Sequence, residues 1–155
     1  MKKMRALVFA VLLALPAAAQ DAAKVVFVPA TRMDAEIHKL PLNSIGESEI
    51  DLIEHTPTHR AILLRRTAPG KAEVHANQAD VWYVIDGGCA FVTGGTVVGG
   101  AQTAPGEIRG SGISGGDERT IGKGDFIRVP AGVPHWVKKI DGKEIVYIVV
   151  KLAAK

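Results

Sequence analysis

The sequence predicts an all-β protein with an antiparallel sandwich or barrel architecture, and three observations support that prediction. From residue 49 onward, the chain is a succession of short runs rich in β-branched and aromatic residues. Turn sequences such as TAPG, DGG, GKGD and DGK separate these runs. The runs do not alternate with amphipathic segments long enough to be crossover helices, so a parallel sheet is not expected.

Residues 1–19 have the pattern of an export signal. Three cations at the start are followed by an unbroken apolar stretch, residues 6–15, and then by alanines at 17–19 that suit a signal peptidase. The apolar stretch is about half of the roughly 20 residues that a membrane-spanning helix requires. We therefore predict cleavage after residue 19 and a periplasmic or secreted protein with no stable membrane anchor.

The charge balance changes once the predicted signal is removed. The full chain has 19 Lys and Arg residues against 16 Asp and Glu residues, but residues 1–19 contain three of the cations and none of the anions. The remaining chain is neutral, so no nucleic-acid partner is expected. Its length fits one domain. We expect a strand and a short helix in residues 20–45 and a β-barrel domain in residues 46–155.

The N-terminal part of the remaining chain predicts the only helix. KVVFVP, residues 24–29, is typical of a short strand that ends at its proline. TRMDAEIHKLP, residues 31–41, has apolar residues at helical spacing, with Thr31 as a candidate N-cap and Pro41 as a stop. We expect His38 on this helix to be a surface residue.

Turn chemistry divides the rest of the chain into a series of predicted strands. They cover residues 49–55, 60–67, 72–77, 80–86, 89–95, 96–100, 125–130, 135–139 and 144–152. Residues 94–124 are rich in glycine, and we interpret them as a long loop with a short strand or two, lying over the mouth of a barrel. A loop of this length is a candidate for carrying function.

Two segments contain residues that can bind a metal. In VHANQAD, His75 and Asn77 share one face of a strand, and Asp80 opens the next strand after a tight corner that can return it beside His75. In PAGVPHWVKK, a turn crowded with proline and glycine leads into His135 at a strand start. Lys139 follows at i+4 and is expected on the same strand face as His135.

Together these segments resemble the two motifs of the cupin superfamily, over roughly residues 60–150. The first motif is G(x)5HxH(x)3–4E(x)6G, which His75 begins, with Asn77 replacing the second histidine and Asp80 replacing the glutamate. The second motif is G(x)5PxG(x)2H(x)3N, which the chain follows from Gly124 to His135. Its last position departs from the family, because Lys139 stands where the motif has asparagine.

The resemblance implies a small antiparallel double-stranded β-helix, or jelly-roll barrel, often dimeric and usually holding a divalent metal in its central pocket. Carried over to this chain, the implied ligands are His75, Asp80, His135 and, in the remaining position, Asn77. Two imidazoles and a carboxylate suit Fe, and the same donors accept Mn, Ni or Zn. An amide in place of an imidazole weakens the site, so a loosely bound or absent metal is an alternative.

Three further residues are candidates for contacting a small-molecule ligand. Lys139 can attract an anionic substrate if it points into the pocket, and Tyr83 or Trp136 can line the pocket or fill the core. Arg65 and Arg66 are adjacent on one predicted strand, so only one of them can face the barrel interior. There it would be a carboxylate or phosphate clamp.

The remaining chemistry-bearing residues have ordinary interpretations. His55 and His59 flank Pro57, which excludes a helix, and we interpret both as solvated loop residues. Cys89 is the only cysteine and lies between a turn and an apolar run, which is typical of a small buried side chain.

Three functions are open at this point, and the third is that of a purely structural β-domain. In the first, the protein is an enzyme of the cell envelope that uses its metal as an oxygenase, isomerase or lyase on a small polar organic molecule. In the second, it is a non-catalytic module that captures a sugar or an organic acid with weak metal binding or none. No general base is evident apart from the metal ligands, so the sequence does not decide whether the protein is an enzyme.

Overall fold

The computed structural model describes residues 25–154 and has one helix and eleven strands within that range. The predicted export signal, residues 1–19, lies outside the described residues. The prediction of an all-β fold with one short N-terminal helix is confirmed. The helix α1 spans Ala30–Ile37, and the strands are β1 (Glu47–Asp51), β2 (His59–Arg66), β3 (Ala72–His75), β4 (Gln78–Thr93), β5 (Thr96–Val98), β6 (Ala101–Ala104), β7 (Glu107–Gly110), β8 (Gly112–Ser114), β9 (Asp117–Gly122), β10 (Phe126–Val129) and β11 (His135–Ala153).

Two long strands, β4 and β11, organise the main sheet. They pair antiparallel from His135 opposite Thr93 to Ala153 opposite Gln78. Strand β11 also pairs with β2 and, at its first residue, with β3, whereas β4 pairs with β10 in its first half and with β9 in its second. The sheet continues from β3 through β7 to β6, and β1 lies beside β2. Because each long strand changes neighbours along its length, the sheet curls into a barrel.

The barrel interior is filled by alternate residues of its strands. On β4, Asp80, Trp82 and Val84 are buried, whereas Tyr83 between them is half exposed. Trp82 stacks on Tyr147 of β11 with ring centroids 4.2 Å apart and an interplanar angle of 6°. The rest of this core is aliphatic apart from a phenylalanine and a cysteine, and it comprises Ile62, Leu64, Cys89, Phe91, Ile121, Val129, Val137, Ile145 and Val149.

The helix packs against the outer face of the same sheet. Ile37 is fully buried there against Leu63 and Val146. His38 follows the helix and is exposed, as predicted, but its Nε2 donates a hydrogen bond of 2.9 Å to Glu144. Arg65 donates to the other oxygen of Glu144 at 2.7 Å. The helix end is therefore joined to β11 by a polar network as well as by apolar contact.

Two N-terminal predictions are wrong. Residues 25–29 form no strand, since no other strand of the described chain pairs with them, and Phe27 is 82% exposed. The helix begins directly after Pro29 without a side-chain cap, so Thr31 lies in its first turn and does not cap it. The helix has eight residues, and among residues 25–154 there is none with the length and apolar character needed to cross a membrane.

The predicted loop at 94–124 is only partly right: β5 lies within the predicted strand at 96–100, but the segment also contains the four short strands β6 to β9. Its glycines make turns between strands, and several of them have positive φ. Elsewhere the predicted strands at 80–86 and 89–95 are one strand, and so are those at 135–139 and 144–152. Residues 142–144, which include part of DGK, form a bulge in β11 opposite DGG, where turns were expected.

Candidate metal centre

Four potential metal donors meet inside the barrel. Glu73 and His75 lie two residues apart on β3 and therefore face the same way, Asp80 lies near the start of β4, and His135 begins β11. Nε2 of His75 is 3.4 Å from Glu73 Oε2 and 3.5 Å from Asp80 Oδ2. Nε2 of His135 is 4.0 Å and 3.6 Å from the same two oxygens. Glu73, His75 and His135 thus form a group that can hold a metal ion.

Local turns bring these residues together. The backbone N–H of Gly132 donates a hydrogen bond of 2.8 Å to the carbonyl of His75, which joins the turn before β11 to the end of β3. Gly132 has a φ of 78°, a conformation that glycine adopts without strain. His135 also pairs with Glu73 across β11 and β3. The short turn at residues 76 and 77 then returns the chain into β4, with Asp80 beside His75.

Both histidines are oriented with Nε2 towards the other donors. Nδ1 of His75 lies 2.6 Å from Glu107 Oε2, and Nδ1 of His135 lies 3.2 Å from the carbonyl of Val133. Because a carbonyl or a carboxylate accepts hydrogen bonds, both Nδ1 atoms are donors and each Nε2 of a neutral ring keeps its lone pair. Nε2 of His135 is buried and has no hydrogen-bond partner among residues 25–154.

The protonation states suit a cation. Burial lowers the pKa of His135 to about 4, so its ring is neutral at neutral pH. Burial alone would raise the pKa of Asp80, but the neighbouring imidazole of His75 and the positive charge of Lys151 lower that pKa to about 2. Neutral imidazoles and ionised carboxylates are the forms that bind divalent metals. The donors present therefore fit a metal such as Fe, Mn, Ni or Zn.

A cavity of about 440 Å³ leads from these donors to the surface. Trp82, Trp136 and Tyr147 form part of its wall. Arg66 also lines it, with 5% of its surface exposed, and Nη2 of Arg66 donates a hydrogen bond of 2.8 Å to Glu47. Within the described part of the chain, Nε and Nη1 of the same guanidinium have no hydrogen-bond partner. The arginine that faces the barrel interior is therefore Arg66, while Arg65 lies on the outer face.

Three of the four predicted ligands, His75, Asp80 and His135, are together in this cluster. The fourth, Asn77, is exposed in the turn after β3, where its amide lies near Gly106. The expectation that it shares a face with His75 is wrong, because β3 ends at His75 and strand alternation does not continue beyond it. Glu73, two residues before His75, has the facing position that was expected for Asn77.

The three residues that were predicted to contact a small-molecule ligand lie in different places. Trp136 lines the cavity, and its Nε1 donates a hydrogen bond of 2.8 Å to the carbonyl of Gly70. Tyr83 is 48% exposed on the outside of the barrel. Lys139 is also outside, with its side chain 75% exposed near Asp141, because a β-bulge after Val137 reverses the alternation. The expected pocket positions of Tyr83 and Lys139 are thus wrong.

Three residues of the site were missed from the sequence. An alignment of the first motif that begins at His75 does not include Glu73. Lys151 lies opposite Asp80 on β11 and could have been found from the alternation of Tyr147 and Val149. Its Nζ is 2.9 Å from His75 Nε2 and 3.0 Å from each oxygen of Asp80. Glu107 carried no signal, since it lies in the segment interpreted as a loop.

The predicted exposure of His55 and His59 is confirmed, but only His55 lies in a loop, because His59 begins β2. Cys89 is fully buried, and burial raises the pKa of its thiol to about 12, which is far from the value of a reactive cysteine.

The chain forms a curled antiparallel barrel with a cluster of histidine and carboxylate side chains at its centre. Comparison with solved structures identifies this fold as that of the cupins. The chain resembles the cupin domain of Cnp3 from Schizosaccharomyces pombe, with a TM-score of 0.54, 11% identity, and coverage of 76% of this chain and 67% of that chain. It resembles TT1209 from Thermus thermophilus with a TM-score of 0.54, 17% identity, and coverage of 83% of this chain and 98% of that chain.

A predicted oxalate decarboxylase from Thermotoga maritima is similar at a TM-score of 0.52 and 11% identity, with coverage of 70% of this chain and 81% of that chain. The chain spans 65% of a matched cysteine peptidase from Thevetia peruviana latex and 53% of a matched oxalate oxidase. No protein-family model matches the sequence, and no curated protein matches it significantly. At these identities the likeness establishes the fold alone.

Proposed function

We propose that the protein binds a divalent metal through Glu73, His75, Asp80 and His135 and acts as an enzyme on a small anionic organic molecule. The observation that carries this proposal is Nε2 of His135, a buried nitrogen without a partner that faces two carboxylates. A native protein rarely leaves such an atom unsatisfied unless a ligand or water completes it. A metal bound there would supply Lewis-acid polarisation of a substrate oxygen or a redox centre for dioxygen.

The anionic substrate class is supported by the cations that line the cavity. Arg66 has two nitrogens without partners, and its planar fork suits a carboxylate or a phosphate. Lys71 lines the same cavity. Arg60 and Arg109 do as well, but they are paired with carboxylates. A substrate of a few carbons with one acidic group fits a cavity of about 440 Å³.

Metal analysis of the full chain tests the proposal. We expect about one ion of Fe, Mn, Ni or Zn for each chain, and loss of that ion in His135→Ala. His59→Ala is the matched control, because His59 is an exposed histidine at the start of β2, away from the metal donors. Protein that holds no metal after reconstitution with each of these ions would refute the proposal.

A non-catalytic binding module is the second candidate, and the position of Lys151 favours it. Its ammonium already contacts His75 Nε2 and both oxygens of Asp80, so these donors have partners without any metal. In that case, small organic acids would bind with the same affinity before and after EDTA removes any metal. The enzyme proposal requires their binding or turnover to depend on the metal.

We also propose that the protein is exported after cleavage at residue 19 and is periplasmic or secreted. The supporting feature is the pattern of residues 1–19, with cations before an apolar stretch and alanines at its end. The N-terminal residue of protein recovered from the cell envelope tests this directly, since an uncleaved Met1 would contradict it. A homodimer remains a prediction.

A further inference from the structure

Lys151 directs its ammonium at the atoms that would hold the metal. The residue lies opposite Asp80 on β11 and points into the barrel with 18% of its side chain exposed. Nζ is 3.0 Å from each carboxylate oxygen of Asp80 and 2.9 Å from His75 Nε2. An ammonium has donors and no acceptor, so His75 Nε2 is the acceptor of this hydrogen bond.

The same lone pair cannot serve two cations at once. Nδ1 of His75 is occupied by Glu107, which leaves Nε2 as the nitrogen that can face either the ammonium or a metal. Asp80 is nearly fully buried, and its carboxylate requires a positive partner in that environment. Either the Lys151 ammonium or a divalent metal can contact the lone pair of His75 Nε2 and neutralise the charge of Asp80, and both would occupy the same place.

We propose that Lys151 is an internal cation that competes with the metal for His75 Nε2 and Asp80, so that the metal binds only when Nζ leaves these atoms. This inference rests on the proposed metal site and describes its regulation. The lysine side chain lines the cavity and has a flexible four-carbon stem, so Nζ can withdraw into the cavity without a change in the backbone. The competition sets the metal affinity of the site below that of its four donors alone.

The test compares the metal affinity of three forms of the full chain. Wild type, Lys151→Met and Lys139→Met are stripped with EDTA, dialysed and titrated calorimetrically with Mn²⁺ and Zn²⁺. Lys139 is the matched control, since it lies on the same strand but is exposed outside the barrel. We expect Lys151→Met to bind at least tenfold more tightly than wild type, and Lys139→Met to be unchanged.

Thermal unfolding with and without metal provides a second measurement. Lys151→Met leaves Asp80 without its cation, so its metal-free form should unfold at a lower temperature than wild type. Added metal should then raise its Tm by more than it raises that of wild type, because tighter binding to the folded state stabilises it more. Lys151→Gln, which keeps hydrogen-bond donors but loses the charge, replaces Lys151→Met in both measurements if the methionine variant does not fold.

The outcomes separate this inference from the proposed function. If wild type binds metal and Lys151→Met binds no more tightly, the competition is refuted and the metal site stands. If Lys151→Met binds metal and wild type does not, the competition is supported and the native protein is not a metal enzyme. If neither form binds metal, both proposals are refuted.

Discussion

Replacement of Gly87 by alanine should destabilise the protein strongly, and the backbone geometry at this residue allows the loss of stability to be calculated. Gly87 is the last residue of the first cupin-like motif, and it lies in β4 opposite Ile145 at a bulge in β11. Its φ is 69°, and a Cβ added there would stand 1.9 Å from the carbonyl oxygen of Glu144. Alanine therefore meets two penalties, one from its own backbone conformation and one from the neighbouring strand.

The two penalties can be separated by a control at Gly124. Its φ is 90°, but a Cβ there meets nothing within 4 Å. A left-handed conformation costs an alanine about 1–2 kcal/mol, and this should be the whole effect of Gly124→Ala. A forced overlap with the backbone costs about 1–3 kcal/mol more. The expected loss for Gly87→Ala is therefore about 2–5 kcal/mol.

Urea unfolding followed by tryptophan fluorescence measures both variants, with EDTA present so that metal binding does not contribute. The informative quantity is the difference between their free energies of unfolding, which we expect to be about 1–3 kcal/mol. Equal losses in Gly87→Ala and Gly124→Ala would show that β11 yields freely around residue 144. That result would refute the close packing of β4 against β11 at this bulge.

Two further predictions concern titration and reactivity. Because the pKa of His135 falls from 6.5 to about 4 on burial, the unfolded chain binds a proton between these pH values and the folded chain does not. In the metal-free protein, this group should therefore account for a loss of about 3 kcal/mol of stability as the pH is lowered from 7 to 4. Urea unfolding at both pH values should show that His135→Gln lacks this loss. An equal pH dependence of stability in wild type and variant would contradict the prediction. A thiol reagent should label the fully buried Cys89 only after unfolding, and rapid labelling of folded protein would disprove that burial.

The fold could be predicted because its signals are local. Alternating side chains and turn sequences identified the strands, and the motif around Gly132 identified the turn that leads into His135. Strand lengths were predicted less well, since a bulge and a hairpin turn use the same residues. Within residues 94–124 only the strand at 96–100 was predicted, because the other strands have three to six residues and contain too few side chains for a clear pattern.

The site was predicted with the first motif two residues out of register. Alignment on His75 as the first histidine needed Asn77 as a ligand and a shortened spacing to Asp80. With Glu73 in the first position, the chain reads ExH(x)4D(x)6G, which keeps the family spacing from ligand to ligand and on to Gly87. This alignment is difficult to recognise because a glutamate replaces the first histidine of the motif, although carboxylates also bind metals.

The charges around the site link the metal to the substrate. Glu73, Asp80 and Glu107 carry three negative charges near the cluster, and Arg109 and Lys151 carry two positive ones. This group has a net charge of −1, and a divalent metal would change it to +1, because the ammonium of Lys151 would withdraw only into the adjoining cavity and keep its charge there. Burying an unbalanced charge is costly. A ligand with a single carboxylate would restore neutrality, so metal binding and anion binding should each strengthen the other.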